Sequence, residues 1–240
     1  MTRTDTLPIT ETQYSYADLW HLMGLMTGDE KHSAAASSTL DVLWVLYDSV
    51  LDVSPSNTGD PARDRFLLSK GHGPMAYYAV LAAKGFIPVE WLVGWASYDS
   101  PLGHHPDRML VPGVEISSGS LGHGLPLAVG TALGLRAQGL DSRVVVLVGD
   151  AELDEGSNHE AVEVAAALDL ASLTVVVVDN RSASHAVPGR IEQRFATEGW
   201  RTAEVDGRDH RQLLRTLSTG GPQSPWGAPS VVVAHVEEKP

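Results

Sequence analysis

Arg143-Val-Val-Val-Leu-Val-Gly-Asp-Ala-Glu-Leu-Asp-Glu-Gly156 and Leu173-Thr-Val-Val-Val-Val-Asp-Asn-Arg-Ser182 decide the fold. The runs Val144–Val148 and Leu173–Val178 are uniformly apolar, rich in β-branched residues and short. Without alternation they read as parallel strands covered on both faces. Between them Ser157–Leu170 carries Ala161, Val164, Ala165 and Leu168 at helical spacing. The result is a strand–helix–strand unit. Its right-handed crossover brings the carboxyl ends of both strands to one edge of the sheet, where open α/β sheets bind ligands.

Asp150 and Asn180 therefore share one mouth, each at the polar end of a buried run, with Asp179 beside Asn180. A carboxylate and an amide oxygen there suit a hard cation. Mg²⁺ takes about six oxygens, of which one or two come from side chains and the rest from water and phosphate, so a diphosphate would complete the shell. Either residue alone also fits a turn or a helix cap, for which Asp and Asn are common choices. A calcium loop fits less well. Asp150, Glu152 and Asp154 mimic its first ligands, but Glu155 stands where glycine is required and Ala161 where the final Glu belongs.

Outward from this unit, helices are expected over Tyr14–Met26, broken by Gly28-Asp29-Glu30, and over Ser38–Leu51, with His32 in the segment between. Arg65-Phe-Leu-Leu-Ser-Lys-Gly-His-Gly73 is a strand running into a glycine-flanked histidine, and Pro74–Lys84 a helix. Glycines on both sides of His72 let the backbone approach something bulky. A helix over Val89–Tyr98 leads to the adjacent His104 and His105, whose spacing suits no zinc pair. Ser117-Ser-Gly-Ser-Leu-Gly-His-Gly124 then opens a helix to about Gln138, whose Ala128, Gly130, Ala132 and Gly134 suit a close crossing or an interface. Ser118 and Leu127 break the nucleophile-elbow and dinucleotide patterns that this segment superficially suggests. Trp200–Val205, Arg211–Leu217 and Ser230–Val236 add strand, helix and strand, with a Gly/Pro-rich loop over Gly220–Pro229. Four or five strands alternating with helices predict an α/β fold with a doubly wound parallel sheet.

At 240 residues and 43% hydrophobic content the chain suits a single domain over 1–240, with 1–13 flexible. It has no cysteine, no apolar run near membrane-span length and no basic-then-apolar leader at Met1–Thr12, so a cytoplasmic location is expected. A net charge of -13 disfavours nucleic acid and membrane surfaces. An anionic cofactor on so acidic a chain needs a local cation, as a bound metal would provide.

Four segments together carry a resemblance to the transketolase family, and within it to the amino-terminal, diphosphate-binding subunit of split bacterial forms. Gly149-Asp-Ala followed by Asn180 is similar to the family's thiamine diphosphate motif. Arg63-Asp-Arg-Phe-Leu-Leu-Ser-Lys-Gly-His-Gly73, His105-Pro-Asp107 through Pro112-Gly-Val-Glu115, and Ser118-Gly-Ser-Leu-Gly122 through Gly124 resemble three more family segments in the same order. The resemblance runs from about Tyr14 to His235. It implies the thiamine diphosphate-binding fold, with thiamine diphosphate and Mg as cofactors. It implies Asp150, Asn180 and the backbone carbonyl of Ser182 as metal ligands, and His32, His72 and His105 as the histidines that contact substrate and cofactor. Gly119 would approach the diphosphate, and Leu121 would lie against the aminopyrimidine. Gly149 and Ala151 would flank the motif aspartate, and Glu155 and Glu160 would join an acidic network between paired sites.

Departures from the family pattern are Ala151 for glycine, Lys31-His-Ser-Ala34 around His32, His104 before His105, and His123 for glutamine. The resemblance further implies a carboxy-terminal, pyrimidine-binding partner subunit that supplies the activating glutamate, a heterotetramer, and ketol transfer from a ketose to an aldehyde. Two other readings stay open: the α subunit of a thiamine-dependent 2-oxo acid dehydrogenase or carboligase, and a non-catalytic homologue acting as a scaffold.

Overall fold

A computed structural model describes residues 14–27, 33–183, 189–220 and 227–237. His32, the 1–13 segment, the Gly28–Glu30 break and part of the 220–229 loop lie outside the described residues.

The strands are β1 (Arg65–Leu68), β2 (Val144–Gly149), β3 (Leu173–Asp179), β4 (Arg201–Asp206) and β5 (Ser230–His235), all parallel, in the order β1-β2-β3-β5-β4. The helices are α1 (Leu19–Gly24), α2 (Ser33–Ser37), α3 (Leu40–Val45), α4 (Met75–Ala83), α5 (Glu90–Val93), α6 (Gly124–Ala137), α7 (Gly156–Ala167), α8 (Arg190–Thr197) and α9 (His210–Leu217). Alternate strand residues serve opposite layers. Val145, Leu147, Val176, Val178 and Val232 join α1, α3, α4 and α9. Val144, Val146, Val148, Val175 and Val177 join α6, α7 and Phe195 of α8. That division explains the lack of alternation in β2 and β3: each side chain up to Val178 is buried, whichever way it points. Edge strand β4 instead interleaves Arg201, Glu204 and Asp206 with apolar residues, as an exposed edge requires. The doubly wound parallel sheet expected from the sequence is the one observed.

Several element bounds differ from expectation, for local reasons. The first helix begins with a 3₁₀ turn at Tyr16–Asp18, where Asp18 accepts from the Ser15 amide at 2.8 Å. The second closes in a π turn over Leu46–Val50. The helix expected over Val89–Tyr98 shrinks to α5, because Gly94 ends it and Ala96 turns to φ 58°. Helix α8 went unforeseen: Arg190-Ile-Glu-Gln-Arg-Phe-Ala-Thr197 has too few apolar residues to announce itself. On α7 the buried residues are Asn158, Ala161, Val162 and Ala165, whereas Val164, and Leu168 just past its end, are exposed although they share the helical spacing.

Candidate functional site

The mouth forms where β1, β2 and β3 end. Asp150 follows β2 directly, is 3% exposed, and its amide donates to Val178 O at 3.2 Å, so it stands beside the end of β3. After β3 the chain turns sharply. Arg181 has φ 55°, and its amide is capped by Asp179 Oδ1 at 3.0 Å. The turn delivers Ser182 N and Oγ to the Asp150 carboxylate, both at 2.6 Å, and Ala183 N at 3.0 Å. Asp150 Oδ2 thus takes two donors and Oδ1 one. A carboxylate offers about four lone-pair directions, so Oδ1 retains acceptor capacity. Asn180 is also 3% exposed, and its Oδ1 is buried without a hydrogen-bond donor among the described residues. Such an orphan is costly in a native interior unless a ligand or an ordered water fills it. These hard oxygens at one strand edge fit a Mg²⁺-like cation.

Glycines build the adjoining wall. A Cβ on Gly71 would fall 2.7 Å from Gly119 N, and one on Gly119, at φ +126°, would fall 2.9 Å from the His105 ring. His72 and His105 meet edge to face, with ring centroids 5.3 Å apart. The sequence-predicted His72, His105 and Gly119 are therefore neighbours. Lys70 passes over Gly149, where an added Cβ would meet its Cδ at 3.4 Å, and its Nζ donates to Ala35 O and Ser38 Oγ. That places a cation beside the mouth of an acidic chain. Ala151 is exposed and starts a 3₁₀ turn without positive φ, so its methyl carries no backbone penalty there. Leu121 is 41% exposed. Glu155 is exposed, with its Cβ against Gly122, and Glu160 is exposed on α7.

Two features escaped the sequence. Glu152, read there only as a false calcium ligand, is 2% exposed. It accepts from Ser69 Oγ, from Gly122 N at 3.0 Å and from Gly149 N at 3.4 Å. Burial pushes its carboxyl above the usual carboxylate range, against the pull of those hydrogen bonds. The second feature is a cavity of about 360 Å³ beside Asp150 that reaches Asp179, Glu192, Glu204 and His235. His235 lies between Asp179 Oδ2 at 3.1 Å and Glu204 Oε2 at 2.9 Å, with Glu192 at 3.7 Å. Burial opposes its charge, but the hydrogen bonds to Glu204 and Asp179 outweigh it and hold the imidazole above its ordinary range.

A buried parallel sheet with an acidic, glycine-walled mouth at its carboxyl edge defines an α/β domain whose ligand site lies at the strand ends. The profile described as "Transketolase, thiamine diphosphate binding domain" matches residues 25–233. The chain belongs to the transketolase family, in its amino-terminal, thiamine diphosphate-binding part. It is 58% identical over 208 residues to a Rhodococcoides fascians protein named "Ferredoxin fas2", covering 86% of this chain and 68% of that one. These 240 residues contain no cysteine and so supply no thiolates for an iron–sulfur cluster. It is 37% identical over 210 residues to an apulose-4-phosphate transketolase subunit of Actinobacillus succinogenes, covering 85% of this chain and 75% of that one. The solved transketolase from Leishmania mexicana superposes with a TM-score of 0.75 at 26% identity over 92% of this chain, which spans 36% of that chain. Among the described residues no helix is long and apolar enough to cross a membrane.

Proposed function

We propose that the chain, as a single domain, is the diphosphate-binding subunit of a two-chain, Mg²⁺-dependent transketolase. In this reading a two-carbon ketol unit passes from a ketose to an aldehyde: the donor's carbon–carbon bond next to the carbonyl breaks, and a new one forms to the acceptor. The observation that carries it is the buried Asn180 Oδ1, without a donor among the described residues, beside an Asp150 carboxylate with acceptor capacity left. Asp150, Asn180 and the Ser182 carbonyl would hold the metal, with Gly149 and Ala151 flanking the aspartate. Gly119 and Leu121 would line the cofactor. Thiamine diphosphate, when bound, supplies the nucleophilic carbon and the electron sink.

His72 and His105 would orient substrate hydroxyls and move protons, with His32 assigned beside them by the resemblance alone. Several observations support a partner. One relative is named as a transketolase subunit, and this chain spans 36% of a solved transketolase. Leu121 and Leu127 are exposed on and beside the mouth segment, as are Val164 on α7 and Leu168 just past its end. A pyrimidine-domain subunit seated there in a cytoplasmic heterotetramer would complete the site, with Glu155 and Glu160 facing it.

The test is calorimetric titration of thiamine diphosphate, with and without Mg²⁺, into the chain co-expressed with its partner subunit. Metal-dependent binding that disappears in Asp150→Ala is expected, followed by ketol transfer from ketoses. No binding in any form would refute the proposal and leave a non-catalytic homologue. Turnover of 2-oxo acids without ketose activity would instead mark a dehydrogenase or carboligase subunit.

A further inference from the structure

Glu152 is a carboxylate buried where an apolar side chain would pack at lower cost, and none of the proposed chemistry uses it. Its three donors come from three separately encoded segments. Ser69 directly follows β1, two residues before Gly71 and three before His72. Gly122 lies next to Leu121 and three residues after Gly119. Gly149 ends β2, next to Asp150. The circuit is directional. Gly124 N donates to Ser69 Oγ at 3.0 Å, and Ser69 Oγ in turn donates to Glu152 Oε1. The same Oε1 accepts from Gly122 N, and Oε2 accepts from Gly149 N. Each partner donates, so only an acceptor-only group satisfies all of them.

Gly122 is held from its other side as well, because its carbonyl accepts from Ser157 Oγ at 2.7 Å. The main chain of Glu152 is itself anchored, its carbonyl accepting from Asn158 Nδ2 at 2.6 Å. Space is as tightly set as polarity. A Cβ on Gly124 would fall 2.2 Å from Ser69 Cβ, and one on Gly122 would fall 2.5 Å from Ser157 Oγ.

Resting on the function proposed above, we infer that Glu152 is a positioning residue of the cofactor cradle. Its carboxylate fixes the end of β1, the 119–124 segment and the end of β2 at one spacing, so that the glycine wall and the Asp150 edge face each other before any ligand arrives. Affinity gained this way comes from preorganisation and not from contact.

The test compares Glu152→Gln with Asp64→Asn in the partnered complex, measuring the Kd for thiamine diphosphate with Mg²⁺ and the Tm without cofactor. The glutamine amide would turn an NH₂ toward one of the donors that Glu152 accepts from. Asp64 is the structural control. It is also buried, and accepts from Arg143 N at 2.8 Å and Asp52 N at 3.0 Å at the opposite end of the same two strands.

Both variants are expected to lower Tm, but only Glu152→Gln should raise Kd, by about tenfold or more, the loss equivalent to one charged hydrogen bond. If Glu152→Gln does not fold, Ser69→Ala replaces it, with an expected rise of about threefold to tenfold. A Kd within twofold of wild type overturns the inference, as does an equal rise in Asp64→Asn at matched loss of Tm. Wild-type protein that binds no cofactor overturns the function itself, and this inference with it.

Discussion

Gly71→Ala probes the closest approach in the mouth. Gly71 does not have positive φ, so the substitution adds no backbone strain and tests space alone. The new methyl would lie 2.7 Å from Gly119 N, 3.0 Å from Gly119 Cα and 3.1 Å from His105 Cδ2, well inside the ~3.5 Å of an ordinary carbon contact. Two of those atoms are backbone and cannot rotate away, so the 118–122 segment must move as a unit. Overpacking of this kind costs about 1–3 kcal/mol, and the lower entropy of the unfolded alanine chain returns roughly 0.4–1 kcal/mol. Net destabilisation of about 0–2.6 kcal/mol follows, a fall in Tm of up to roughly 10 °C for a chain of this length. The same shift displaces Gly119 and His105, so the Kd for thiamine diphosphate should rise more than the Tm loss alone implies. Thermal unfolding and cofactor titration on one preparation measure both. Wild-type Tm together with wild-type Kd would refute the apposition of Gly71 and Gly119.

Gly130→Ala is the opposite case: α6 leaves nothing within 4 Å of the added methyl, so helix propensity should stabilise the isolated chain by about 0.8–1 kcal/mol. A fall in Tm would show that this face is already packed. His235 has a folded pKa above its unfolded value, so its contribution is fully present below the unfolded pKa and lost as pH rises through the folded one. Thermal unfolding across that interval should therefore fall less steeply in His235→Ala than in wild type; parallel curves would count against the imidazolium clamp of Asp179 and Glu204. Asp41 is buried and accepts from Arg208 Nη1 at 2.6 Å and His210 Nε2 at 2.7 Å. Because Arg208 keeps Glu237 as a partner, Asp41→Ala should cost about 1–3 kcal/mol in urea unfolding, and an unchanged midpoint would show the cluster to be solvated.

Much of the site was legible because its parts lie on strand ends. An uninterrupted run such as Val144–Val148 can be buried on both faces only in a covered parallel sheet, and the handedness of the crossover then places Asp150 and Asn180 together whatever the intervening helix does. The same reasoning found α7 without resolving which of its sides is buried. Helical spacing identifies a stripe, but Val164 and Leu168 lie to one side of the stripe that meets the sheet. It passed over α8 because two apolar residues a turn apart are too weak a period.

By itself the sequence determined the parallel sheet, its carboxyl edge and the polar residues that end each strand, since burial and chirality act locally along the chain. Only the tertiary structure decided which distant groups meet: Gly71 against Gly119, His72 against His105, and Glu152 between Ser69, Gly122 and Gly149. A glycine in a sequence announces freedom of the backbone but not the neighbour that fills the space, and a glutamate announces charge but not the donors that make its burial tolerable. Those are properties of packing between segments, and they exist only once the layers have closed.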